Sequence, residues 1–259
     1  MNGSNSKAPP IRVNGLRTAF GDKIIHDDLD LEVRQGEILG VVGGSGSGKS
    51  VLLNSILGLK QPDGGSIELF GRDIAEMSAL SEAERRIGVM FQQGALFSFL
   101  TVQENVEAPF LEHSGLPLQL IADLARLKIK LAGLPDNAGA LRPSELSGGM
   151  SKRAGVARAI ALDPDILFLD EPTAGLDPIG ASEFDDLIRS LRDALGFTVF
   201  MITHDLDTIY AICDRVAVVA DRKVVAVAPV AELEKSDHPW IKSYFLGPRG
   251  RAAARLKDH

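Results

Sequence analysis

Residues 37–50 read EILGVVGGSGSGKS, an apolar segment that runs directly into a glycine-rich loop. The segment EILGVVG predicts a buried strand, and the stretch from Ser50 to Leu57 predicts a helix that ends at Gly58. The loop between them matches G-x-x-x-x-G-K-[ST], in the strand–loop–helix context that this phosphate-binding motif requires. A flexible glycine turn is the alternative, but it does not explain the lysine, the serine and the helix together.

The loop predicts a nucleotide site, because glycines let backbone N–H groups surround phosphates and the helix N-terminus adds partial positive charge. We expect Lys49 to neutralise the β- and γ-phosphates and the hydroxyl of Ser50 to bind Mg²⁺. The candidate nucleotide-binding residues of this stretch are Gly43, Gly44, Ser45, Gly46, Ser47, Gly48, Lys49, Ser50 and Val51.

A second predicted strand, ILFLDE at residues 166–171, ends in the carboxylates Asp170 and Glu171. Beside a phosphate-binding loop, we expect Asp170 to hold Mg²⁺ and Glu171 to act as the general base toward the attacking water. The alternative is a pair of acids that only stabilises a helix N-terminus.

Three more side chains are candidates for the same site. His204 follows the strand TVFMIT, at the sheet edge where α/β folds bind ligands, so we expect it near the γ-phosphate. Gln92 follows RIGVMF and can reach the metal or the water, although spacing alone does not separate it from Gln93. Phe20 is interpreted either as an adenine-stacking ring or as a core residue. The other histidines, interpreted as surface or packing residues, are His26, His113, His238 and His259.

The bulk composition limits the function. The chain has 259 residues, a formal net charge of −7 and a pI of about 5.3, which argues against nucleic acid as a general partner. Cys213 is the only cysteine, so no disulfide forms within the chain and a reducing compartment is expected. The first ten residues lack the apolar core of a signal peptide, and no apolar run approaches the roughly 18 residues of a membrane span. Any membrane role is expected to act through a partner.

Strands that alternate with helices predict an α/β fold with a largely parallel sheet. Alternating residues after Ile11 add an antiparallel N-terminal sheet, and a helical insertion is expected at about residues 93–160. Within it, one helical face carries Leu120, Leu124, Leu127 and Leu131. The expected divisions are a disordered start at 1–10, the main domain at 11–235 and a tail at 236–259.

The stretch SELSGGMSKRAGVARA, residues 144–159, predicts a second anion site. Ser147, Gly148 and Gly149 lie at a helix start, where backbone N–H groups can meet negative charge. Lys152 and Arg153 are interpreted as surface or interface charges. Met150 has no physical explanation from the sequence, since a thioether lacks the hydrogen bonds of a glutamine.

Together and in this order, the motifs between Ile11 and Leu233 resemble those of the nucleotide-binding subunits of ABC transporters. The resemblance implies a RecA-like P-loop NTPase core with the antiparallel β-subdomain and the inserted helical subdomain. It assigns Lys49 and Ser50 to Walker A, Gln92 to the Q-loop, Leu146–Gly149 to the signature, and Asp170 with Glu171 to Walker B and the catalytic base. It also makes Asp177 the D-loop aspartate, His204 the switch histidine and Phe20 the adenine-stacking ring.

The same resemblance implies ATP and Mg²⁺ as cofactors and ATP hydrolysis as the reaction. It further implies a head-to-tail homodimer, in which Ser147, Gly148 and Gly149 of one chain cap the ATP held by the other. The second anion site then belongs to the partner's nucleotide, and the helical insertion relays closure to an integral-membrane permease.

Shorter matches resemble the ATPases of Mla-type transporters: LSGGM, GALFSFLTVQENV and HPWIKSYFLGPRGRAA. This implies phospholipid transport between bacterial inner and outer membranes, with a permease, an MCE-domain lipid-binding protein and often a small STAS-domain protein. The chain is then expected at the cytoplasmic face of the inner membrane, with Ala95–Val106 against the permease. Trp240, Tyr244 and Phe245 are expected on the neighbouring ATPase copy, or else packed locally in a terminal helix.

Two other functions stay open at this point. One is the ATPase of a polar-solute importer, against which the signature methionine and the tail argue. The other is a non-transport ABC ATPase that regulates cell-wall remodelling. Relatives that repair DNA carry long heptad arms between the P-loop and the signature, and this chain shows no sustained heptads between Lys49 and Ser147. Relatives that act on ribosomes usually carry two cassettes, and this chain has one.

Overall fold

A computed structural model describes residues 8–76, 85–92 and 96–247. Its N-terminal part contains an antiparallel sheet with the strand order β2-β1-β4-β5. Ile11 and Val13 of the first strand are buried, and after a register shift so are Leu16 and Thr18, which is the pattern of a sheet with one face on the core. The strands are β1 (Ile11–Phe20), β2 (Lys23–Val33), β4 (Gly64–Leu69) and β5 (Arg72–Asp73).

The second sheet has the order β10-β9-β3-β8-β7-β6 and is parallel from β9 to β6, with β10 antiparallel at one edge. Its central strands are apolar runs buried on both faces, as parallel sheets require. The strands are β3 (Ile38–Gly43), β6 (Ile87–Met90), β7 (Ile166–Asp170), β8 (Thr198–Ile202), β9 (Arg215–Ala220) and β10 (Lys223–Ala228). The predicted α/β class is confirmed.

Helices follow the strands of this second sheet, and three of them form an insertion between β6 and β7. The inserted helices are α2 (Val102–His113), α3 (Leu118–Leu131) and α4 (Gly148–Ala159), with short 3-10 turns at Asp136–Ala140 and Pro143–Glu145. The others are α1 (Lys49–Ile56), α5 (Pro178–Leu195), α6 (Leu206–Ile212), α7 (Val230–Leu233) and α8 (Pro239–Phe245). Across the described ranges, no helix combines the length and apolar character needed to cross a bilayer.

Three of the four leucines on the predicted face of α3 point away from the core, whereas Leu124 is partly buried against it. Leu120, Leu127 and Leu131 are exposed, whereas Ile121 and Ile129 are buried with the core of the helical insertion. The helix has two apolar stripes, displaced from each other by one residue along the sequence. Only the stripe of Ile121 and Ile129 is covered by the rest of the insertion. The sequence pattern alone could not decide which of the two faces inward.

The single cysteine lies just before β9, against β3. A methyl group built on Gly40 would lie 2.8 Å from the Sγ of Cys213, so only glycine fits at that point of the strand. Burial raises the pKa of the Cys213 thiol, and the neighbouring carboxylates Asp185 and Asp214 raise it further. The sulfur is therefore a packed, protonated group at neutral pH.

Candidate functional site

The loop between β3 and α1 has the shape of an anion cradle. A methyl group on Gly43 would lie 2.4 Å from the carbonyl oxygen of Val219, and Gly46 and Gly48 have φ values of +76° and +100°. These positions exclude ordinary side chains or strain them. The buried hydroxyl of Ser47 has no hydrogen-bond partner among the described residues. An unpartnered donor inside a glycine loop fits a phosphate oxygen.

Lys49 is held inside this loop. Its Nζ donates hydrogen bonds to the carbonyl oxygens of Gly43 at 2.9 Å and Gly44 at 3.2 Å. Burial lowers the pKa of Lys49, while the nearby carboxylates Glu171 and Asp170 oppose that shift. The ammonium therefore lies in the loop in which phosphates would bind, within electrostatic reach of both acids.

His26 supports the loop from the antiparallel sheet, a role that no pattern in the sequence indicated. The residue is fully buried, and its Nδ1 lies 2.8 Å from the hydroxyl of Thr18. A methyl group on Gly48 would lie 2.4 Å from the Nε2 of His26, so the ring packs directly behind the loop. Burial lowers the pKa of His26 to about 4, with the Gly48 backbone acting in the opposite direction. The histidine is a packing residue, as expected, but one that fixes the phosphate-binding loop.

The carboxyl ends of β7 and β8 bring Glu171 and His204 together. The Oε2 of Glu171 lies 2.7 Å from the Nδ1 of His204, with the carboxylate side chain 16% exposed and the imidazole 73% exposed. Glu171 has a φ of +48°, an unusual value for a residue other than glycine, and its N–H donates to the carbonyl of Ile202 at 2.8 Å. Such strained backbone is concentrated at functional sites, where it aims a side chain.

The candidate oxygen donors for magnesium are Asp170, Ser50 and Gln92. Burial raises the pKa of Asp170, as does Glu171, while Lys49 and Lys152 lower it. Ser50 lies in the first turn of α1 and is exposed, as is Gln92 beyond β6; Gln93 lies outside the described residues. Within those described, no three His, Cys, Asp or Glu residues form a cluster that could hold a metal unaided. In nucleotide sites Mg²⁺ usually binds only a few protein oxygens, and the phosphates of the nucleotide complete its coordination.

Lys152 corrects the sequence interpretation, because it is buried rather than a surface charge. Its Nζ donates to the carbonyl oxygens of Gln92 and Glu171, the latter at 3.3 Å. Burial lowers the pKa of Lys152, and Glu171 and Asp170 oppose this. The long side chain of a lysine can carry its charge to a site far from its own backbone. The polar residues next to Lys152 in the sequence therefore did not indicate that its ammonium is buried. Arg153 remains near the surface and pairs with Glu183 at 3.4 Å.

The second anion motif lies at the exposed start of α4. The hydroxyl of Ser147 accepts a hydrogen bond from the N–H of Met150 at 3.2 Å, so Ser147 is the helix N-cap. A methyl group on Gly149 would have no described atom within 4 Å, and one on Gly148 would have only Leu176, at 3.9 Å. This helix start is open to a ligand or a partner. Met150 packs on the core of the helical insertion, which gives its apolar side chain a place.

Asp177 and Phe20 lie at the surface. The carboxylate of Asp177 caps α5 by accepting hydrogen bonds from the N–H groups of Ile179 at 3.1 Å and Gly180 at 3.0 Å. The ring of Phe20 is 57% exposed, with the Nζ of Lys60 at 5.1 Å from its centroid. Phe20 is therefore available to a planar ligand and is not a core residue.

Residues 26–174 match the sequence profile of the family described as ABC transporter. The chain belongs to this family. The predicted resemblance to ABC transporter subunits is thereby confirmed, and as an ABC ATPase the chain binds and hydrolyses ATP with Mg²⁺.

Individual ABC relatives cover most of the chain. It is 41% identical over 239 residues to the intermembrane phospholipid transport system ATP-binding protein MlaF of Haemophilus influenzae, covering 92% of this chain and 90% of that protein. It is 38% identical over 241 residues to the probable ribonucleotide transport ATP-binding protein mkl of Mycobacterium tuberculosis, covering 92% and 67%. The dimeric ATP-binding cassette MJ0796 bound to ADP and Pi superimposes with a TM-score of 0.76 at 28% identity, covering 85% and 98%.

Proposed function

We propose that this ABC ATPase drives phospholipid transport between the inner and outer membranes of a bacterium, from the cytoplasmic face of the inner membrane. The observation that carries the proposal is the 41% identity to the phospholipid-transport ATPase MlaF over nearly the whole of both chains. The signature methionine, Met150, supports the same branch. An integral-membrane permease and an MCE-domain lipid-binding protein complete the proposed transporter, with a small STAS-domain protein as a further partner.

We propose that two copies of the chain close head to tail around two ATP molecules. The open start of α4 supports this, since methyl groups built on Gly148 and Gly149 would meet no atom of the chain's own glycine loop within 4 Å, which leaves room for a phosphate. MJ0796, the structural relative, is described as a dimer. Ser147 and the two glycines then contact the ATP of the partner, with Asp177 beside the dimer interface.

Each side chain of the site has a proposed role in hydrolysis. Lys49 and the glycine loop bind the phosphates, and Ser50, Asp170 and Gln92 hold Mg²⁺, which offsets phosphate charge when bound. Glu171 accepts the proton of the attacking water, and its contact with His204 fixes the orientation of the carboxylate. Phe20 stacks on adenine. The strained backbone of Glu171 supports the assignment of the general base.

The permease is proposed to dock at the cleft between α2 and β6. A cavity of about 360 Å³ lies there, lined by Phe91, Phe97, Pro109, Glu112 and other residues. Phe97 and Phe99 are 47% and 72% exposed, and the loop that carries them is fixed by buried Asn105, whose side chain bonds the backbone of Phe97 and Thr101. Exposed aromatic rings on an ordered loop are typical of a protein interface.

The test is to purify the chain with its membrane partners and to measure ATP hydrolysis in liposomes. We expect co-purified phospholipid and an ATPase rate that depends on the lipid. The name of mkl supports ribonucleotide transport as a second candidate. Stimulation by ribonucleotides or another polar solute, without lipid dependence, would favour that importer. A permease partner without any transport activity would favour a regulator of cell-wall remodelling.

A further inference from the structure

The last described helix, α8, lies beside the nucleotide site of its own chain. The hydroxyl of Tyr244 donates a hydrogen bond to the backbone oxygen of His204 at 3.1 Å. A methyl group built on Gly44 would lie 3.5 Å from the indole Nε1 of Trp240. The two rings stack on each other, with centroids 4.8 Å apart and an interplanar angle of 15°. One aromatic pair therefore lies beside the glycine loop at Gly44 and is hydrogen-bonded to the backbone of His204.

The opposite side of α8 is anchored in the core. Ile241 and Phe245 are each 1% exposed and pack in one cluster with Val42 of β3 and Tyr210 of α6. The rings of Tyr210 and Phe245 pack edge to face, with centroids 6.4 Å apart. Since β3 leads into the phosphate-binding loop and α6 follows the switch histidine, α8 is fixed to the two elements that carry these loops.

The hydrogen bond from Tyr244 restrains a residue that faces the catalytic carboxylate. His204 is bound at its backbone by Tyr244 and contacts Glu171 through its ring. Burial raises the pKa of Tyr244, and the carboxylates Asp205 and Glu171 raise it further. The hydroxyl therefore keeps its proton and remains a donor throughout the working pH range.

We infer that Tyr244 and Trp240 are positioning residues for ATP hydrolysis: Tyr244 holds the backbone of His204, and Trp240 bounds the phosphate-binding loop at Gly44. Both act through these neighbours and not on the reacting atoms. The inference rests on ATP hydrolysis at the proposed site and not on the identity of the transported substrate. A negative result with lipids would thus leave it untouched.

The first test is steady-state kinetics of the full chain carrying Tyr244→Phe, which removes only the hydroxyl. Loss of one hydrogen bond that acts in hydrolysis is expected to lower kcat about five-fold, with the KM for ATP and the Tm unchanged. Lys242→Ala is the matched control, because Lys242 is exposed on the same helix and its ion pair among the described residues is with exposed Asp237. A Tyr244→Phe enzyme with the wild-type kcat, or with a loss of kcat that merely follows a loss of Tm, would overturn the role of Tyr244.

The second test uses Trp240, the only tryptophan of the chain. Adding ATP and Mg²⁺ to the full chain is expected to change its fluorescence in the wild type and in Tyr244→Phe, but not in Lys49→Ala, which lacks the phosphate-binding ammonium. Trp240→Phe is expected to raise the KM for ATP more than it lowers kcat. If calorimetry shows ATP binding while the tryptophan emission stays constant, the role of Trp240 at the loop is wrong. The fluorescence measurement needs no turnover, so slow ATP hydrolysis by the isolated subunit does not affect it.

Discussion

The Nζ of Lys152 donates a hydrogen bond to the backbone oxygen of Glu171 at 3.3 Å. It makes a second hydrogen bond to the backbone oxygen of Gln92, so one ammonium joins the helix after the signature to the ends of two strands. Glu171 also has the strained φ of +48°, which needs support from its surroundings. Lys152 provides that support from α4.

Replacing Lys152 with methionine is expected to lower kcat about ten-fold or more, since hydrogen bonds from a charged donor are stronger than neutral ones. Methionine retains the length and apolar character of the lysine stem. The measurement is ATP turnover together with the Tm. Lys130→Met, an exposed site on α3, serves as the control. Unchanged turnover in Lys152→Met would show that this contact has no part in hydrolysis.

Glu171→Gln is expected to bind ATP but not to hydrolyse it, because an amide cannot accept the proton of the attacking water. ATP-bound dimers should then accumulate and appear by size-exclusion chromatography in the presence of ATP. Lys49→Ala is the companion variant, expected to lose both nucleotide binding and the dimer. Hydrolysis by Glu171→Gln at the normal rate would refute the assignment of the general base.

His26 is expected to make the fold sensitive to acid. The unfolded chain binds a proton at this residue near pH 6.5, whereas the folded chain binds it near pH 4, so stability is lost as the pH falls between these values. His26→Leu should therefore lose less Tm than the wild type between about pH 7 and about pH 5. The slope of Tm against pH decides the question, whatever the absolute stability of the variant. Equal slopes would contradict the prediction.

Asp185 is expected to make the fold less stable as the pH rises, the opposite of the effect of His26. This buried carboxyl accepts a hydrogen bond from Thr208 at 2.9 Å, and burial raises its pKa to about 7. The folded chain then binds a proton near pH 7 that the unfolded chain binds near pH 3.8, so the stability from this group is lost as the pH rises through about 7. Asp185→Asn keeps an acceptor for Thr208 and should raise the Tm at alkaline pH. Asp123→Asn, at an exposed residue of α3 that does not contribute to this shift, is the control and should leave the pH dependence unchanged.

Phe99 provides a test of the docking cleft. Phe99→Ser should reduce recovery of the permease with the chain while its Tm stays unchanged, because a 72% exposed ring contributes little to the fold. Leu59→Ser is the control, since Leu59 is 68% exposed on another part of the surface. If both variants recover the permease like the wild type, Phe99 is not part of the interface.

The positions of the glycine loop and of the acidic pair were predictable because their signals are local. The glycine loop lies between β3 and α1, and Asp170 and Glu171 come at the end of an apolar strand, so local pattern gives their places in the fold. The α/β class and the helical insertion follow from the order of the strands and helices.

What could not be predicted depends on contacts between residues distant in sequence. Lys152 lies in a polar stretch that resembles a solvated helix face, and only the packing of α4 against β6 brings its Nζ to Glu171. His26 resembles any histidine of an amphipathic strand until the loop at Gly48 is seen against its ring. The buried face of α3 was ambiguous because Leu127 and Ile121 lie on two apolar stripes of one helix.

The packing of Cys213 has a practical consequence. Its sulfur lies against Gly40 and stays protonated at neutral pH, so thiol reagents should largely spare the only native cysteine. Cysteines introduced on the exposed surface can therefore be labelled or cross-linked against a low background. A pair at Ser45 and Ser147, on the glycine loop and at the start of α4, would test the proposed head-to-tail assembly through a disulfide that joins two chains.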